Sequence, residues 1–515
     1  MMWEERLRCE ALRGRIMSAD EAAMLITDGM CVAVSGFTPS GCPKAVPLAL
    51  ARQAKAGRRL RLTLLSGAST GEEIDSAWAE AGILARRLPY MTSKPLRAAV
   101  NGVSEPGVAY SDIHLGEFAQ NARYGAYGPV DVAIIEAAAV TPEGDLIPTT
   151  ALGCSQTWLD LASTVIVELN LRQSAELEGL HDVYRVADPP RREPIPLSRV
   201  DERIGVPYLR CEMDKIAAVV VTELPEKPRA LPGADETSRR IAGHIVRFLE
   251  NEKACGRLSV DSLPLQSGVG AVANAVLLGL GESGFSHLRF YSEVMQDGIL
   301  DLLDAGKADF ASATSLSLSE AGMARLIGHL DRYRDRIVLR DSEISNSPEV
   351  IRRLGVIAMN TAVEADLYGN VNSSQMNGTT VYNGIGGSGD YARGACLSIF
   401  MTASIAKEGK ISCIVPMVSH VDHTEHDVDV IVTEQGLADL RGLSPKERAL
   451  AIIENCAHPD YRAQLRAYFD EACAATHGAQ TPHVLSKCFS FHENLRLYGS
   501  MKGPDPDTQP GFQGE

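Results

Sequence analysis

The sequence has no apolar stretch that approaches the roughly 20 residues needed to span a bilayer as a helix. Residues 1–17 mix acidic and basic side chains without a continuous apolar core, which argues against a secretory signal or a transit peptide. The 11 cysteines include no Cys-x-x-Cys pair, and their number is odd. We therefore expect a cytoplasmic protein with reduced thiols. We do not expect a membrane protein or a secreted protein stabilised by disulfide bonds.

Aromatic residues make up only 5% of the chain, and no basic stripe is present. Asp and Glu outnumber Lys and Arg by 66 to 50, which gives a formal net charge of −16. This balance argues against a nucleic-acid-binding protein. Glycine is abundant at 45 residues, and the hydrophobic content of 45% is typical of globular proteins. The length of 515 residues predicts two or more domains.

Short β-branched runs alternate with helix-length segments along the chain, which indicates an α/β fold with largely parallel sheets. Helices are predicted over Ser238–Leu258 and Ala271–Leu280, and Ser444 to Glu447 has the residues of a capping box with proline at the first helical position. The predicted strands are Met30–Val34, Leu60–Leu65, Val130–Ile135, Thr164–Leu169, Ile216–Val221, Leu288–Tyr291, Ile337–Leu339, Val356–Met359, Ile411–Val415 and Val428–Val432.

The segment Glu223–Thr237 contains three prolines and several charges, and we place the domain boundary there. Residues 1–225 would form an N-terminal α/β domain and residues 226–502 a C-terminal one. Residues 503–515 are rich in Pro, Gly, Asp and Gln and are predicted to be a flexible tail. Each half has a strand, a glycine loop and a helix, at Ser35–Ala51 and Ser267–Gly281, which suggests that the two domains are related.

A glycine loop at Gly384–Gly389 has four glycines in six positions. Its unshielded N–H groups could donate to a phosphate or an oxyanion, although a tight connection between strands explains the composition equally well. Glu293 and Glu434 each follow a predicted strand, where ligands bind in open α/β sheets. The Glu293 carboxylate could act as a nucleophile, and Glu434 could line the same cleft. A lone acid at such a place is more often a helix cap or a surface residue.

The segment His420–Asp427 contains three histidines, two aspartates and a glutamate. These residue types bind zinc or iron, but their spacing matches no metal motif. A loop whose imidazoles and carboxylates bond one another and the backbone explains the segment as well. We therefore expect no metal site there.

Longer motifs in the chain, taken together, resemble the class I CoA-transferases of the acetyl-CoA hydrolase/transferase family, with the succinyl-CoA:acetate type as the nearest pattern. The resemblance runs from about Met17 to Lys502. The motifs that carry it are SGFTPSGCPKAVPLALA, YSEVMQDGILDLLDAGK, ISNSPEVIRRLG, EADLYGNVNS, NGIGGSGDYAR and HVDHTEHDVDVIVTEQGLADLRGLSP. The last of these includes the histidine-rich segment, which in the family involves no metal.

The resemblance implies two open α/β domains with the active site between them, in a homodimer. Glu293 occupies the position of the family's nucleophile, which forms an acyl-glutamyl anhydride and then a glutamyl-CoA thioester. Asn346 and Gly387 match the two oxyanion donors, and Glu434 matches a supporting acid. Contacts with CoA, a substrate and not a tightly bound cofactor, are implied for Gly268, Val269, Gly270, Val363, Gly386, Gly387 and Lys407.

The expected reaction moves CoA between short-chain carboxylic acids, from succinyl-CoA to acetate. A propionyl-CoA:succinate CoA-transferase remains an alternative, because one methylene changes binding by only ~1–3 kcal/mol. An acetyl-CoA hydrolase is another, since water could attack the same glutamyl intermediate. A third alternative is an acyl-CoA-binding or regulatory protein without turnover, against which the intact nucleophile and donors argue.

Overall fold

The computed structural model describes residues 3–227, 233–261 and 263–504. Within these residues, sixteen strands form two large sheets. In chain order they are β1 (Cys31–Val34), β2 (Leu62–Leu65), β3 (Leu84–Leu88), β4 (Ala109–Tyr110), β5 (Val132–Ala137), β6 (Thr164–Asn170), β7 (His181–Asp182), β8 (Ile216–Thr222), β9 (Leu265–Ser267), β10 (Leu288–Tyr291), β11 (Ala308–Ala313), β12 (Ile337–Arg340), β13 (Ile357–Thr361), β14 (Leu397–Met401), β15 (Val430–Thr433) and β16 (Gly436–Asp439).

The first sheet has the strand order β8-β6-β5-β1-β2-β3-β4, and all its pairings are parallel. Helices cover both of its faces, where two apolar clusters pack. A strand buried on both faces is apolar at nearly every position, which explains the apolar runs seen in the sequence. In β5, every one of the six residues is buried.

The second sheet has the order β16-β15-β14-β13-β9-β10-β11-β12-β7. Its pairings are parallel except that of β15 with β16, which form a hairpin. The prediction of an α/β fold built on two largely parallel sheets is therefore confirmed.

Helices connect most of the parallel strands. The capping box predicted at Ser444 is present: the Glu447 carboxylate accepts from the Ser444 N–H at 2.8 Å. The helix predicted over Ser238–Leu258 begins two residues earlier and ends at Ala254. The helices, short 3₁₀ and π turns included, are Trp3–Glu5, Glu10–Arg13, Ala19–Ala23, Ala45–Lys55, Glu72–Ser76, Ala77–Glu80, Lys94–Val100, Leu115–Arg123, Ser155–Leu161, Ala175–Leu177, Met213–Lys215, Glu236–Ala254, Ala271–Glu282, Asp297–Asp304, Glu320–Gly328, Leu330–Tyr333, Ser342–Ser345, Pro348–Leu354, Ser388–Gly394, Pro445–Asn455, Pro459–Ala475 and Ser490–Tyr498.

One predicted strand is wrong. The run Ile411–Val415 is divided into Ile411–Ser412 and Ile414–Val415, which pair in two separate small sheets. The remaining short strands are Ala139–Val140, Leu146–Ile147, Val294–Met295, Ser315–Leu316, Glu364–Asp366, Val371–Asn372, Gln375–Met376, Thr380–Val381 and Ile405–Ala406.

The strand β7 belongs to the first half of the chain but pairs with β12 at the edge of the second sheet. The boundary between residues 225 and 226 stays a prediction, and part of the linker, 228–232, lies outside the described residues. The predicted tail lies outside them as well, except for Gly503 and Pro504. Among the helices of the described residues, none has both the length and the apolar character needed to cross a membrane.

Candidate active site

A cavity of about 330 Å³ lies where the two sheets face each other. The loops that follow β1 and β2 of the first sheet and β9, β10 and β13 of the second all reach it, as expected for the carboxyl ends of parallel strands. Its lining residues are Phe37, Thr38, Ala68, Tyr90, Leu115, Gln266, Gly268, Val269, Gly270, Glu293, Val294, Asn360, Thr361, Ser373, Asn383, Gly384, Ile385, Gly386, Gly387 and Ser388.

Glu293 stands just beyond the end of β10 and lines this cavity. Its backbone is fixed because the N–H groups of Thr314 and Ser315 both donate to its carbonyl oxygen, at 2.8 and 3.0 Å. The next helix, Asp297–Asp304, has Gln296 at its N-cap, so Glu293 is not the cap of that helix. Its carboxyl group is therefore available to a ligand in the cavity.

Burial raises the pKa of the Glu293 carboxyl to about 7, and a hydrogen bond from Asn346 offsets part of that increase. The Asn346 Nδ2 donates to Glu293 Oε1 at 2.7 Å. A carboxylate with a pKa near neutrality is a stronger nucleophile than an ordinary one and still ionises at physiological pH. The site thus combines a reactive carboxylate with a preplaced donor.

Asn346 is fully buried directly after the helix Ser342–Ser345. Its backbone N–H donates to the Ser342 carbonyl at 2.8 Å, which holds the residue against the end of that helix. Its Nδ2 also lies 3.3 Å from Asp390 Oδ2. The carboxamide therefore stands between two carboxyl groups.

Gly387 contacts both Glu293 and Asn346 so closely that a Cβ at this position would overlap the Glu293 carboxyl and the Asn346 amide nitrogen. Its φ of −86° suits any residue, so glycine is required here for space alone. The neighbouring Gly386 has φ +59°, in the left-handed region that favours glycine. The glycine loop is thus shaped around the carboxyl group, and is more than a tight connection between strands.

The histidine-rich segment supports this glycine loop. The buried His423 has its Nε2 3.0 Å from the Ser388 Oγ, and its ring packs on Phe400 with the centroids 4.5 Å apart. Burial lowers the pKa of His423 to about 4, so the imidazole is neutral. The Asp422 carboxylate accepts from the backbone N–H groups of Ser373 and Ser374, at 2.6 and 2.9 Å. In the described part of the chain, no group of three or more His, Cys, Asp or Glu residues is arranged to hold a metal ion.

Five of the residues expected to contact CoA or an oxyanion line the cavity: Gly268, Val269, Gly270, Gly386 and Gly387. Four predicted site residues are not among its lining residues: Asn346, which donates to the cavity-lining Glu293, and Val363, Lys407 and Glu434. The Val363 N–H donates to the Asn372 carbonyl at 2.8 Å, and Lys407 is exposed in a hairpin turn. The Glu434 carboxylate accepts from the Ser404 N–H at 2.8 Å, and its hydrogen bonds lower its pKa despite burial. Their roles stay predictions.

Sequence reasoning missed the contribution of the first half of the chain to the cavity. Phe37 and Thr38 occur in the SGFTPSG motif that follows β1, which is the signal that could have identified them. Thr38 has φ +46°, an uncommon value for a β-branched residue, and its Oγ lies 3.1 Å from the Ser315 Oγ. Asp390 was missed as well, because an acidic residue in a short helix normally indicates an exposed position.

Comparison with known proteins agrees with this architecture. Residues 3–221 match the acetyl-CoA hydrolase/transferase N-terminal domain, and residues 322–469 match the corresponding C-terminal domain. Among solved structures, the 4-hydroxybutyrate CoA-transferase of Porphyromonas gingivalis has a TM-score of 0.62 at 20% identity and covers 91% of this chain and 100% of its own. That likeness shows the shared fold.

Curated relatives are similar over almost their entire length. The succinyl-CoA:acetate CoA-transferase of Clostridium kluyveri is 52% identical over 97% of this chain and 92% of its own. The propanoyl-CoA:succinate CoA transferase of Escherichia coli is 46% identical over 95% and 99%, and the acetyl-CoA hydrolase of Saccharomyces cerevisiae is 42% identical over 97% of each chain. This chain therefore belongs to the acetyl-CoA hydrolase/transferase family of enzymes.

Proposed function

We propose that the protein is a CoA-transferase that moves CoA between short-chain carboxylic acids, with succinyl-CoA as donor and acetate as acceptor. The observation that carries the proposal is the Glu293 carboxyl in the cavity between the two sheets, with Asn346 Nδ2 at 2.7 Å and Gly387 packed against it. The 52% identity to a relative named as a succinyl-CoA:acetate CoA-transferase supports the choice of acids.

In the first step, a Glu293 carboxylate oxygen attacks the carbonyl carbon of the donor thioester. A C–O bond forms, the C–S bond breaks, and the products are an acyl-glutamyl anhydride and CoA thiolate. The thiolate then attacks the side-chain carbonyl carbon of Glu293, forming a glutamyl-CoA thioester and releasing the first acid as its carboxylate. An incoming carboxylate reverses both steps, so the free energy of the thioester is kept and neither ATP nor a metal is required.

Each step passes through a tetrahedral intermediate that carries an oxyanion. The Asn346 Nδ2 and the Gly387 N–H are proposed as the donors that stabilise it, in a site shared by two domains and shielded from water. Removal of one such donor costs ~3 kcal/mol of barrier. Glu434 is proposed to support the cleft, or to contact Glu293 in another rotamer.

CoA is proposed as a substrate that lies along the loops Gly268–Gly270 and Gly386–Gly387, with further contacts to the Val363 backbone and Lys407. We further propose a cytoplasmic homodimer, without a tightly bound cofactor. Acetyl-CoA hydrolysis is the second candidate activity, favoured by the fungal relatives that carry that name at 42% to 43% identity. In that reaction water replaces the incoming carboxylate at the same glutamyl intermediate.

Purified protein given succinyl-CoA, with and without acetate, tests the proposal when free thiol and acetyl-CoA are followed together. A transferase forms acetyl-CoA only when acetate is present and releases little thiol. Thiol release at the same rate without acetate would establish a hydrolase instead. Glu293→Ala should abolish both signals, whereas Glu282→Ala, at an exposed glutamate of the same half, should retain full activity. An active Glu293→Ala variant would refute the assignment of the nucleophile.

A further inference from the structure

Asp390 is a buried acid at the back of the site, with 2% of its surface exposed. It lies in the first turn of the helix Ser388–Gly394, directly behind the glycine loop. Its Oδ2 accepts two hydrogen bonds, from the Gly116 N–H at 2.9 Å and from Asn346 Nδ2 at 3.3 Å. Asp390 does not line the cavity, and its link to Glu293 runs through Asn346, whose Nδ2 lies within hydrogen-bond distance of both carboxyl groups.

The two hydrogens of the Asn346 amide nitrogen face two different carboxyl groups, those of Glu293 and Asp390. Its Oδ1 is buried and has no hydrogen-bond partner in the described part of the chain. Rotation of the carboxamide by 180° would place this oxygen against both carboxyl groups and remove both hydrogen bonds. In the resting enzyme, Glu293 and Asp390 therefore fix the orientation together.

In the resting enzyme two carboxyl groups share the amide nitrogen of Asn346, and this changes during the reaction proposed above. The present inference therefore rests on the proposed function. Once Glu293 is bound to an acyl group or to CoA, its carboxyl group carries no negative charge. Its carbonyl oxygen is then a weaker hydrogen-bond acceptor, so it favours the amide nitrogen of Asn346 over the amide oxygen less strongly. Asp390 is the carboxyl acceptor that remains, at the stage when the nitrogen must point at the developing oxyanion.

We propose that Asp390 is a positioning residue, which holds the amide nitrogen of Asn346 toward the reacting carbonyl oxygen while Glu293 is covalently modified. Electrostatic interactions also favour Asp390 as the acceptor once Glu293 is modified. Burial raises the pKa of Asp390 well above its ordinary value, and the negative charge of Glu293 raises it further. Modification of Glu293 removes that second effect, so Asp390 becomes a better ionised acceptor in the intermediate. Other nearby titratable groups are Glu117, whose charge also raises the pKa of Asp390, Tyr391, and His114, whose Nδ1 lies 4.0 Å from Asp390 Oδ1.

One helix of the first half of the chain, Leu115–Arg123, contacts both Asp390 and the segment that carries Asn346. Near its start, Gly116 approaches so closely that a Cβ would overlap the Asn346 carbonyl oxygen. At its end, the Arg123 guanidinium donates to both carboxylate oxygens of Glu343 at 2.8 Å, in the helix that precedes Asn346. Asp390 and the segment that carries Asn346 thus both contact the same helix.

The test compares Asp390→Ala, which removes the acceptor, with Asp390→Asn, which keeps one oxygen at nearly the same place. In Asp390→Asn the new amide nitrogen faces His114 Nδ1, which has no hydrogen-bond partner among the described residues. For Asp390→Ala we expect kcat to fall about 10- to 100-fold, less than the loss of the donor itself, with the KM for acyl-CoA within about threefold. Asp390→Asn should recover most of the rate.

A double-mutant cycle with Asn346→Ala separates positioning from a general structural role. If Asp390 acts through Asn346, the double variant Asp390→Ala/Asn346→Ala will be no slower than Asn346→Ala alone, within about twofold. The proposal would be overturned if the double variant lost kcat by the product of the two single-variant factors. Equal rates for Asp390→Ala and the wild type would also overturn it. Should Asp390→Ala fail to fold, Asp390→Leu removes the acceptor without leaving a cavity and is judged by the same cycle.

Asp366→Ala is the matched control. Asp366 is also a buried aspartate of the second half, and it accepts from the N–H groups of Tyr368, Gly369 and Asn370 in a turn away from the cavity. We expect this variant to lower the melting temperature but to keep kcat within about twofold. Mass spectrometry of wild-type enzyme incubated with succinyl-CoA checks the underlying function separately. Turnover without a CoA adduct on Glu293 would refute the proposed mechanism, whereas an adduct together with multiplicative losses would refute only the role of Asp390.

Discussion

Glu293→Gln should make the protein more stable at neutral and alkaline pH while abolishing its activity. The native environment raises the pKa of this carboxyl group from 4.5 to about 7, chiefly through burial. A raised carboxyl pKa means that folding disfavours the ionised form. Gln keeps the size and the oxygen that accepts from Asn346, but it never ionises.

The size of the effect follows from the two pKa values. A difference of one pKa unit is worth ~1.4 kcal/mol, so ionised Glu293 costs the native state about 3 kcal/mol above pH 7. Below pH 4.5 the group is protonated in both the native and unfolded states, and the cost disappears. With an unfolding entropy of about 2.1 cal/mol/K per residue, 3 kcal/mol corresponds to a rise of about 3 °C for a chain of 515 residues that unfolds as one unit.

Melting temperatures of the variant and the wild type, measured side by side between pH 4.5 and pH 8, provide the assay. The difference should be close to zero at the acidic end, grow through pH 5 to 7 and level off above that range. The exposed Glu282→Gln should show no such trend. A gain that is equal at all pH values, or a loss of stability at pH 8, would refute the reasoning. Wild-type kcat/KM should rise over the same pH range, because the nucleophile must be ionised.

Three further predictions concern the surroundings of the carboxylate. Gly387→Ala should lower kcat by about 10²–10³, because its methyl group displaces an oxyanion donor. The control Gly328→Ala, at a glycine with free space for a Cβ, should have no effect. A fully active Gly387→Ala would contradict the assigned geometry. Lys407→Ala should raise the KM for acyl-CoA several-fold, because Lys407 is proposed to contact CoA. Lys410→Ala, in the same hairpin, is the control. Equal KM values for Lys407→Ala and the wild type would show that Lys407 is not part of the site. Dialysis against EDTA should leave the transfer rate unchanged, and a loss restored by added zinc would indicate a metal requirement.

Much of the fold could be predicted because its strands are buried on both faces. The strands β5 and β6 were predicted from nearly continuous apolar runs, which are typical of parallel sheets covered on both sides. The run Ile411–Val415 has the same composition, yet Ser412 and Cys413 mark the place where the chain leaves one small sheet for another. An apolar run shows that a segment is buried, but it does not show which partner the segment pairs with.

The site was only partly accessible from the sequence. Glu293, Asn346 and Gly387 come from three distant segments, and their proximity was expected through the family resemblance alone. No local signal could identify Asp390, since its burial depends on donors supplied by Asn346 and by Gly116, which lies 274 residues away in the chain. Polar residues whose environment is made entirely by tertiary contacts are the ones that periodicity cannot reveal.

The strand β7 has a consequence for any attempt to produce the two halves separately. A chain cut after residue 225 would leave β12 as an open sheet edge, which invites aggregation. It would also deprive the fully buried Arg340 guanidinium of its Asp182 partner, a loss of about 3–5 kcal/mol. The C-terminal fragment should therefore be recovered in soluble form only when the N-terminal fragment is co-expressed with it. A cut placed before residue 181 would give the second fragment its own edge strand, but it would separate β8 from its partner β6 in the first sheet, so either cut opens the edge of one sheet.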